Sequence, residues 1–262
     1  MPRRTRAVPR HRSSKAVPQR QKLPRGRMTR NQLVRELADS ADPKRAASSA
    51  WFFKTGKGQY GEGDRFLGIT VPALREIALR FSDLPLSDIA RLLASPIHEH
   101  RLAAVEILVA QFECSDNVTR EKIFRFYLRH AKRVNNWDLV DASAPYIVGK
   151  HLKTRKRGVL DRLAASPNLW ERRISIVATF AFIRNGEIKD TFRIARKLLS
   201  DEHDLIHKAV GWALREAGKV SRPALLSFLK KHYGTISRTS LRYAIERFPA
   251  AQRKRVLAGE FR

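Results

Sequence analysis

Ser166-Pro167-Asn168-Leu169-Trp170-Glu171-Arg172-Arg173-Ile174-Ser175-Ile176-Val177 carries the pattern that decides the fold. A turn dipeptide precedes a run whose apolar residues return at helical spacing. The arrangement comes back twice: Ser95-Pro96 precedes Arg101-Leu102-Ala103-Ala104-Val105, and Ser200-Asp201 precedes Ile206-His207-Lys208-Ala209-Val210. With the Trp137 helix placed between the first two, units start near 95, 131, 166 and 200. A period of about 35 residues with two helices per unit predicts an all-α fold, an α-solenoid whose curvature creates a basic concave surface. A non-repetitive helical bundle is the alternative.

Apolar periodicity also marks helices over about 98–112, 117–130, 137–149, 170–184, 190–199, 204–217, 223–232 and 240–247. Pro72 opens one more, from Ala73 to Leu79, as a proline in a first helical turn does. Residues 54–68 break the pattern with Gly56, Gly58, Gly61, Gly63 and Gly68. They lack the spacing of a dinucleotide or Walker loop, so the expectation is a flexible surface loop whose amides can approach phosphate. His98-Glu99-His100 is expected to be a solvated helix start.

The 262 residues hold 53 Lys+Arg against 25 Asp+Glu, a net charge of +28. Such an excess repels itself in a compact fold and points to a polyanionic partner. A membrane partner is disfavoured, because no apolar run approaches the roughly 20 residues of a span. Abundant Arg, whose planar fork matches phosphate, favours nucleic acid. Residues 1–28 form a separate basic arm with ten Lys/Arg and no acid, expected to be disordered; residues 29–262 are read as one domain. The arm either adds phosphate affinity or is a dispensable extension. With Cys114 as the single cysteine, no disulfide can close within the chain. A reducing, bacterial-type cytoplasm is the expected compartment, and no apolar signal-peptide core is visible.

One helix breaks the apolar rule. In Asn136-Trp137-Asp138-Leu139-Val140-Asp141, Trp137 and Val140 share a stripe with Ala144, Ile147 and Val148, and Asp141 stands one turn after Trp137. A buried carboxylate costs several kcal/mol unless paired, so Asp141 is either functional or tied to a structural Arg. Asp138, in the first turn after an Asn cap, merely complements the helix dipole. Arg173 sits one turn after Trp170, and Gly211 beside Trp212 would let a neighbouring backbone approach closely. In-register stacking would bring Trp137, Asp141, Arg173 and Trp212 to one side. Each tryptophan has a bland reading as core filler, and Arg173 as a mere partner for Asp141. His203 and His207 have the spacing for a metal but no evident third ligand.

Asn136-Trp137-Asp138-Leu139-Val140-Asp141, Trp170-Glu171-Arg172-Arg173, Ile206 to Glu216 and Leu241 to Arg247 together resemble the DNA alkylation repair family of HEAT-like glycosylases, over roughly residues 30–250. The resemblance implies a HEAT-like repeat fold and excision of cationic N3- or N7-alkylated purines from double-stranded DNA, without metal or cofactor. It implies that the cleft Trp, Asp, Arg and Trp are Trp137, Asp141, Arg173 and Trp212. Asp141 would stabilise an oxocarbenium-like sugar and Arg173 would hold a flanking phosphate. The same reading assigns DNA contacts to Arg172, Lys208, Arg238 and Arg242, and a monomer. The family's characterised enzymes contact the lesion's sugar-phosphate rather than enclosing the base. One departure is visible: an aromatic hydroxyl that the family can place near the cleft is replaced here by Trp51-Phe52-Phe53. The competing readings are a non-catalytic helical binder of distorted duplexes and a protein-binding solenoid.

Overall fold

A computed structural model describes residues 28–261, so the basic arm, apart from Met28, lies outside the described residues. Helix α1 (Arg30–Asp39) and α2 (Pro43–Phe52) precede the glycine-rich segment, and α3 (Val71–Arg80) and α4 (Leu86–Leu93) follow it. Next come α5 (His98–Cys114), α6 (Asn117–Arg129) and a 3-10 turn leading to α7 (Trp137–Ser143). A wide π-type turn (Pro145–Gly149) and α8 (Lys150–Leu152) connect to α9 (Gly158–Ala164), α10 (Leu169–Val177), α11 (Phe180–Ile183) and α12 (Lys189–Lys197). The chain closes with α13 (Asp204–Val220), α14 (Arg222–Lys231), α15 (Arg238–Ala244) and α16 (Ala250–Leu257). Among the described residues the only β feature is an isolated bridge between Arg65 and Ile97. The fold is an all-α helical repeat.

Polar residues set the helix starts. Thr29 and Gln32 form a reciprocal capping box on α1, Asp42 accepts from the Arg45 amide, and Asn168 accepts from Trp170 and Glu171. Each cap satisfies amides that the helix itself cannot reach. The repeat is visible in packing: α5, α7, α10, α13 and α15 begin at residues 98, 137, 169, 204 and 238, and each packs on the next. Helices α4, α6, α9, α12 and α14 pack behind them. The seam between α13 and α15 is tight because Gly211 has no side chain, as its position foretold. A Cβ there would lie 2.4 Å from Tyr243 Cβ and 2.6 Å from the Ser240 carbonyl oxygen.

Charged pairs tie one repeat to the next. Arg75–Glu106, Asp141–Arg173, Asp161–Arg193, Arg157–Asp190 and Arg172–Asp201 all join residues 29 to 33 positions apart. That separation is one repeat, so register and charge pairing are the same constraint.

Two expected helices are interrupted. The 137–149 stretch ends as α7 because Pro145 has no N–H to donate; beyond it the Gly149 amide reaches back to the Ala144 carbonyl at 2.9 Å, a five-residue bond. The 170–184 stretch breaks after Val177, where the Thr179 hydroxyl takes the Ile176 carbonyl at 2.7 Å.

Candidate active site

Helix α7 is placed by its neighbours before it offers anything to a ligand. Buried Tyr127 donates to or accepts from Ser143 Oγ at 2.8 Å, and Ser143 donates to the Leu139 carbonyl. At the other end the Trp137 amide donates to Asn136 Oδ1. His98 Nε2 lies 2.8 Å from Asp138 Oδ2, and His98 Nδ1 lies 3.4 Å from Asp64 Oδ2. Arg101 pairs with Asp64 at 2.6 Å. Burial alone would lower the His98 pKa; the Asp138 carboxylate and hydrogen bonds to Asp138 and Asp64 push it up to about 9. Burial likewise opposes ionisation of Asp64, but His98, Arg101 and Asn136 hold its pKa below the usual value. Asp138 therefore does more than complement a dipole: it anchors α7 to a buried imidazolium.

This network corrects two expectations. His98, Glu99 and His100 are buried, not solvated. The glycine-rich segment is docked onto them: the Arg65 amide bonds the Pro96 carbonyl, and the Glu99 carboxylate accepts from the amides of Leu67, Gly68 and Ile69. Phe53 and Phe66 cover the His98 ring, with centroids 4.9 and 4.7 Å away, and Phe53 stacks on Trp137 at 5.3 Å. A segment with this many fixed amides is structure, not a flexible loop.

Its tip delivers a tyrosine. Tyr60 enters the same cavity as Trp137, Asp141, Arg173 and Trp212, a space of about 990 Å³ also bordered by Lys54, Lys208, Arg215 and Tyr243. Burial raises the Tyr60 pKa, against the lowering effect of the Trp137 side chain within hydrogen-bonding reach and of Lys208 and Arg173. The ring meets Trp170 edge-on at 6.2 Å. The cavity thus receives an aromatic hydroxyl from Tyr60 although Trp51-Phe52-Phe53 has none. Only the dipeptide Tyr60-Gly61 hinted at it: a Cβ on Gly61 would collide with the Phe53 carbonyl oxygen at 2.3 Å, so the chain must double back there.

The four residues expected in a cleft do line one cavity, but their contacts differ from the expectation. Arg173 Nε donates to Asp141 Oδ1 at 3.0 Å, Nη2 to Oδ2 at 2.8 Å, and Nη1 to the Leu205 carbonyl at 2.7 Å. These bonds engage three of its five N–H groups, and its side chain is 6% exposed. They hold Asp141 in place rather than leaving the guanidinium open to solvent. Asp141 itself keeps 19% of its side chain exposed toward the cavity. Burial raises its pKa above the usual carboxylate value, and Arg173 opposes that rise. Trp170 is core, whereas Trp212 packs on Phe180 at 4.4 Å and reaches the cavity with its free edge.

Of the four expected DNA contacts, the cavity receives one. Lys208 borders it, 2.7 Å from Asp204. Arg172 is committed elsewhere, to Asp201 at 2.5 Å and the Ser166 and Pro167 carbonyls, because it ties α10 to the next repeat. Arg238 and Arg242 are exposed but lie outside the cavity lining, with Arg238 donating to the Leu257 carbonyl. Lys54 and Arg215, which sequence reasoning passed over, stand on the rim instead; Lys54 has no acidic partner among the described residues. His203 accepts the Leu205 amide and His207 meets the Asp201 carbonyl.

A carboxylate held by a guanidinium, walled by two indoles and rimmed by cations, can stabilise a developing positive charge on an anionic polymer. A solved structure described as a predicted DNA alkylation repair enzyme from Enterococcus faecalis superposes with a TM-score of 0.62 at 15% identity, over 80% of this chain and 98% of that one. That likeness shows the fold. A comparison with curated proteins returns no match. The DNA alkylation repair enzyme family matches residues 33–248. The chain belongs to that family.

Proposed function

We propose that the chain is a monofunctional DNA glycosylase that excises cationic N3- or N7-alkylated purines from duplex DNA. One observation carries this reading: the Asp141 carboxylate, pinned by Arg173, is still open to a cavity walled by Trp137 and Trp212. An alkylated purine is already positively charged and leaves readily. When its bond to C1′ breaks, the electron pair goes to the base, which becomes neutral, and the charge moves to the sugar. A carboxylate about 4 Å from that charge stabilises it by roughly 4 kcal/mol at an effective dielectric of 20. Indole faces add cation–π attraction. Water then bonds to C1′, its proton passing to Asp141 or to solvent, and the products are free base and an abasic site. No acid is needed to protonate the leaving group, and no cofactor is called for. Lys54 on the rim, and Lys208 by exchange of its exposed Asp204 contact, supply the phosphate contacts.

A second reading rests on the recurrence of ion pairs one repeat apart. Asp141–Arg173 has the same separation as the others, so it serves equally as a structural tie in a binder of distorted duplexes. Release of 7-methylguanine and 3-methyladenine from methylated duplex DNA decides between them. The wild type is expected to release base, and Asp141→Asn to lose about 100-fold or more of the single-turnover rate while binding DNA comparably. No base from the wild type favours the binder, and full activity in Asp141→Asn removes the carboxylate from the mechanism.

A further inference from the structure

Both ring nitrogens of His98 face acids, and the acids come from different elements. Asp138 Oδ2, on α7, lies 2.8 Å from Nε2, and Asp64 Oδ2, in the glycine-rich segment, lies 3.4 Å from Nδ1. A neutral imidazole has one N–H and would turn a lone pair on one of the two carboxylates. Only the imidazolium donates to both. The ring is 3% exposed and packs against Phe53 and Phe66, so it has no room to swing away. Asp64 is held in turn by Arg101 at 2.6 Å and by Asn136 at 3.3 Å. Each of the two linked elements owns part of the cavity. Helix α7 supplies Trp137 and Asp141, and the glycine-rich segment supplies Lys54 and Tyr60.

Resting on the glycosylase reading above, we infer that His98 is a positioning residue for excision: by donating to Asp138 and Asp64 together, its ring fixes the spacing between the Asp141 helix and the Tyr60 segment. His98 touches no substrate and acts through its two carboxylate partners. Asp138 stands one turn ahead of Asp141, and Asp64 follows Tyr60 closely in the chain, so each bond is near the group it places. The charged groups facing the ring are Asp138 from α7, Asp64 from the segment and Arg101 from its own helix; Phe53 and Phe66 bring no charge. Against burial, the two acids outweigh Arg101 and hold the His98 pKa at about 9. Deprotonation leaves one of the two links without its donor, and the two walls of the cavity lose their common tie.

Asp138→Asn tests the coupling, because the amide keeps a carbonyl oxygen for the Nε2 proton and removes the charge that holds the ring protonated. Without that charge His98 should lose its proton about 1–3 pH units lower. Single-turnover release of 7-methylguanine from duplex DNA is measured across pH at saturating full-length protein, with enzyme-free controls. The alkaline limb of the wild type is expected at the His98 pKa of about 9. That of Asp138→Asn should lie lower by the shift above, with a rate close to wild type at about pH 6. Ring-nitrogen NMR shifts should place the loss of the His98 proton on each limb. Amide hydrogen exchange gives a readout that needs no excision. The Gly61 and Asp64 amides, which bond the Lys54 and Gly61 carbonyls, should exchange about tenfold faster in Asp138→Asn than in wild type at about pH 8, and equally at about pH 6. An unmoved limb, or an equal loss of rate at both pH values, overturns the coupling and leaves Asp138 a structural anchor only. If the wild type releases no base, the glycosylase reading falls and exchange alone decides. Loosening of the segment only at the higher pH then keeps the coupling, and exchange alike at both pH values removes it.

Discussion

Asp141 and Arg173 illustrate how one ion pair has two jobs. The guanidinium holds the carboxylate in place and lowers its pKa against the burial that raises it. Both effects vanish if the arginine is removed. In Arg173→Gln the Asp141 pKa should therefore rise further, and because the ionised form is the useful one, excision should fail at a higher pH than in the wild type. We expect the acidic limb of the single-turnover pH profile to move upward and the rate near neutrality to drop about 100-fold. An unmoved limb with a reduced rate would assign Arg173 a contact with DNA after all. Tyr60→Phe asks a narrower question. If the hydroxyl orients a phosphate or the attacking water, its loss should slow excision about tenfold with no change in thermal midpoint; a fall in the midpoint alone would make Tyr60 a wall of the cavity and nothing more.

Among elements, the junction of the glycine-rich segment with α5 and α7 is the one most dependent on charge. His98 is protonated between two carboxylates, with its pKa raised from 6.5 to about 9. A raised pKa means that the folded state holds the proton more tightly, so this contribution to stability is complete below 6.5 and is lost as pH rises through about 9. The urea midpoint of the wild type should decline across that window, and His98→Gln should be less stable at its lower end yet decline less steeply. A parallel decline in both proteins would remove His98 as the source. The α13–α15 seam makes a different prediction, since it depends on shape. Gly211→Ala places a methyl group against backbone that cannot yield cheaply, and should cost about 1–3 kcal/mol in urea denaturation. A neutral result would mean that the two helices can separate without loss.

At the level of the whole molecule the governing quantity is charge. With a net +28, association with DNA should be dominated by released counterions, and log affinity should fall steeply and linearly with log salt. Residues 1–27 hold ten of the 53 Lys and Arg side chains. Deleting those residues should weaken binding and flatten the salt slope while leaving the single-turnover rate nearly intact. A collapse of that rate would give the arm a part in the chemistry. No helix among the described residues is long and apolar enough to cross a membrane.

Much of this was legible in the chain alone. The repeat of turn and amphipathic run set the all-α class and the starts of the principal helices, because helical periodicity and caps are local properties. The conjunction of Trp137, Asp141, Arg173 and Trp212 was legible as well, since residues one repeat apart fall on one side when repeats stack. Helices α4, α9 and α16 were not foreseen. Nor could the sequence say which acid each arginine takes. Arg172 and Arg173 are adjacent and chemically identical, and only packing sends one to Asp201 and the other to Asp141. The same holds for Tyr60. Its place in the cavity depends on Glu99 gathering the amides of Leu67, Gly68 and Ile69, some thirty residues before it in the chain, and on Asp64 meeting His98. Long-range partners of this kind leave no periodic trace, so tertiary structure alone decided how Tyr60 and the two arginines are placed about the cavity.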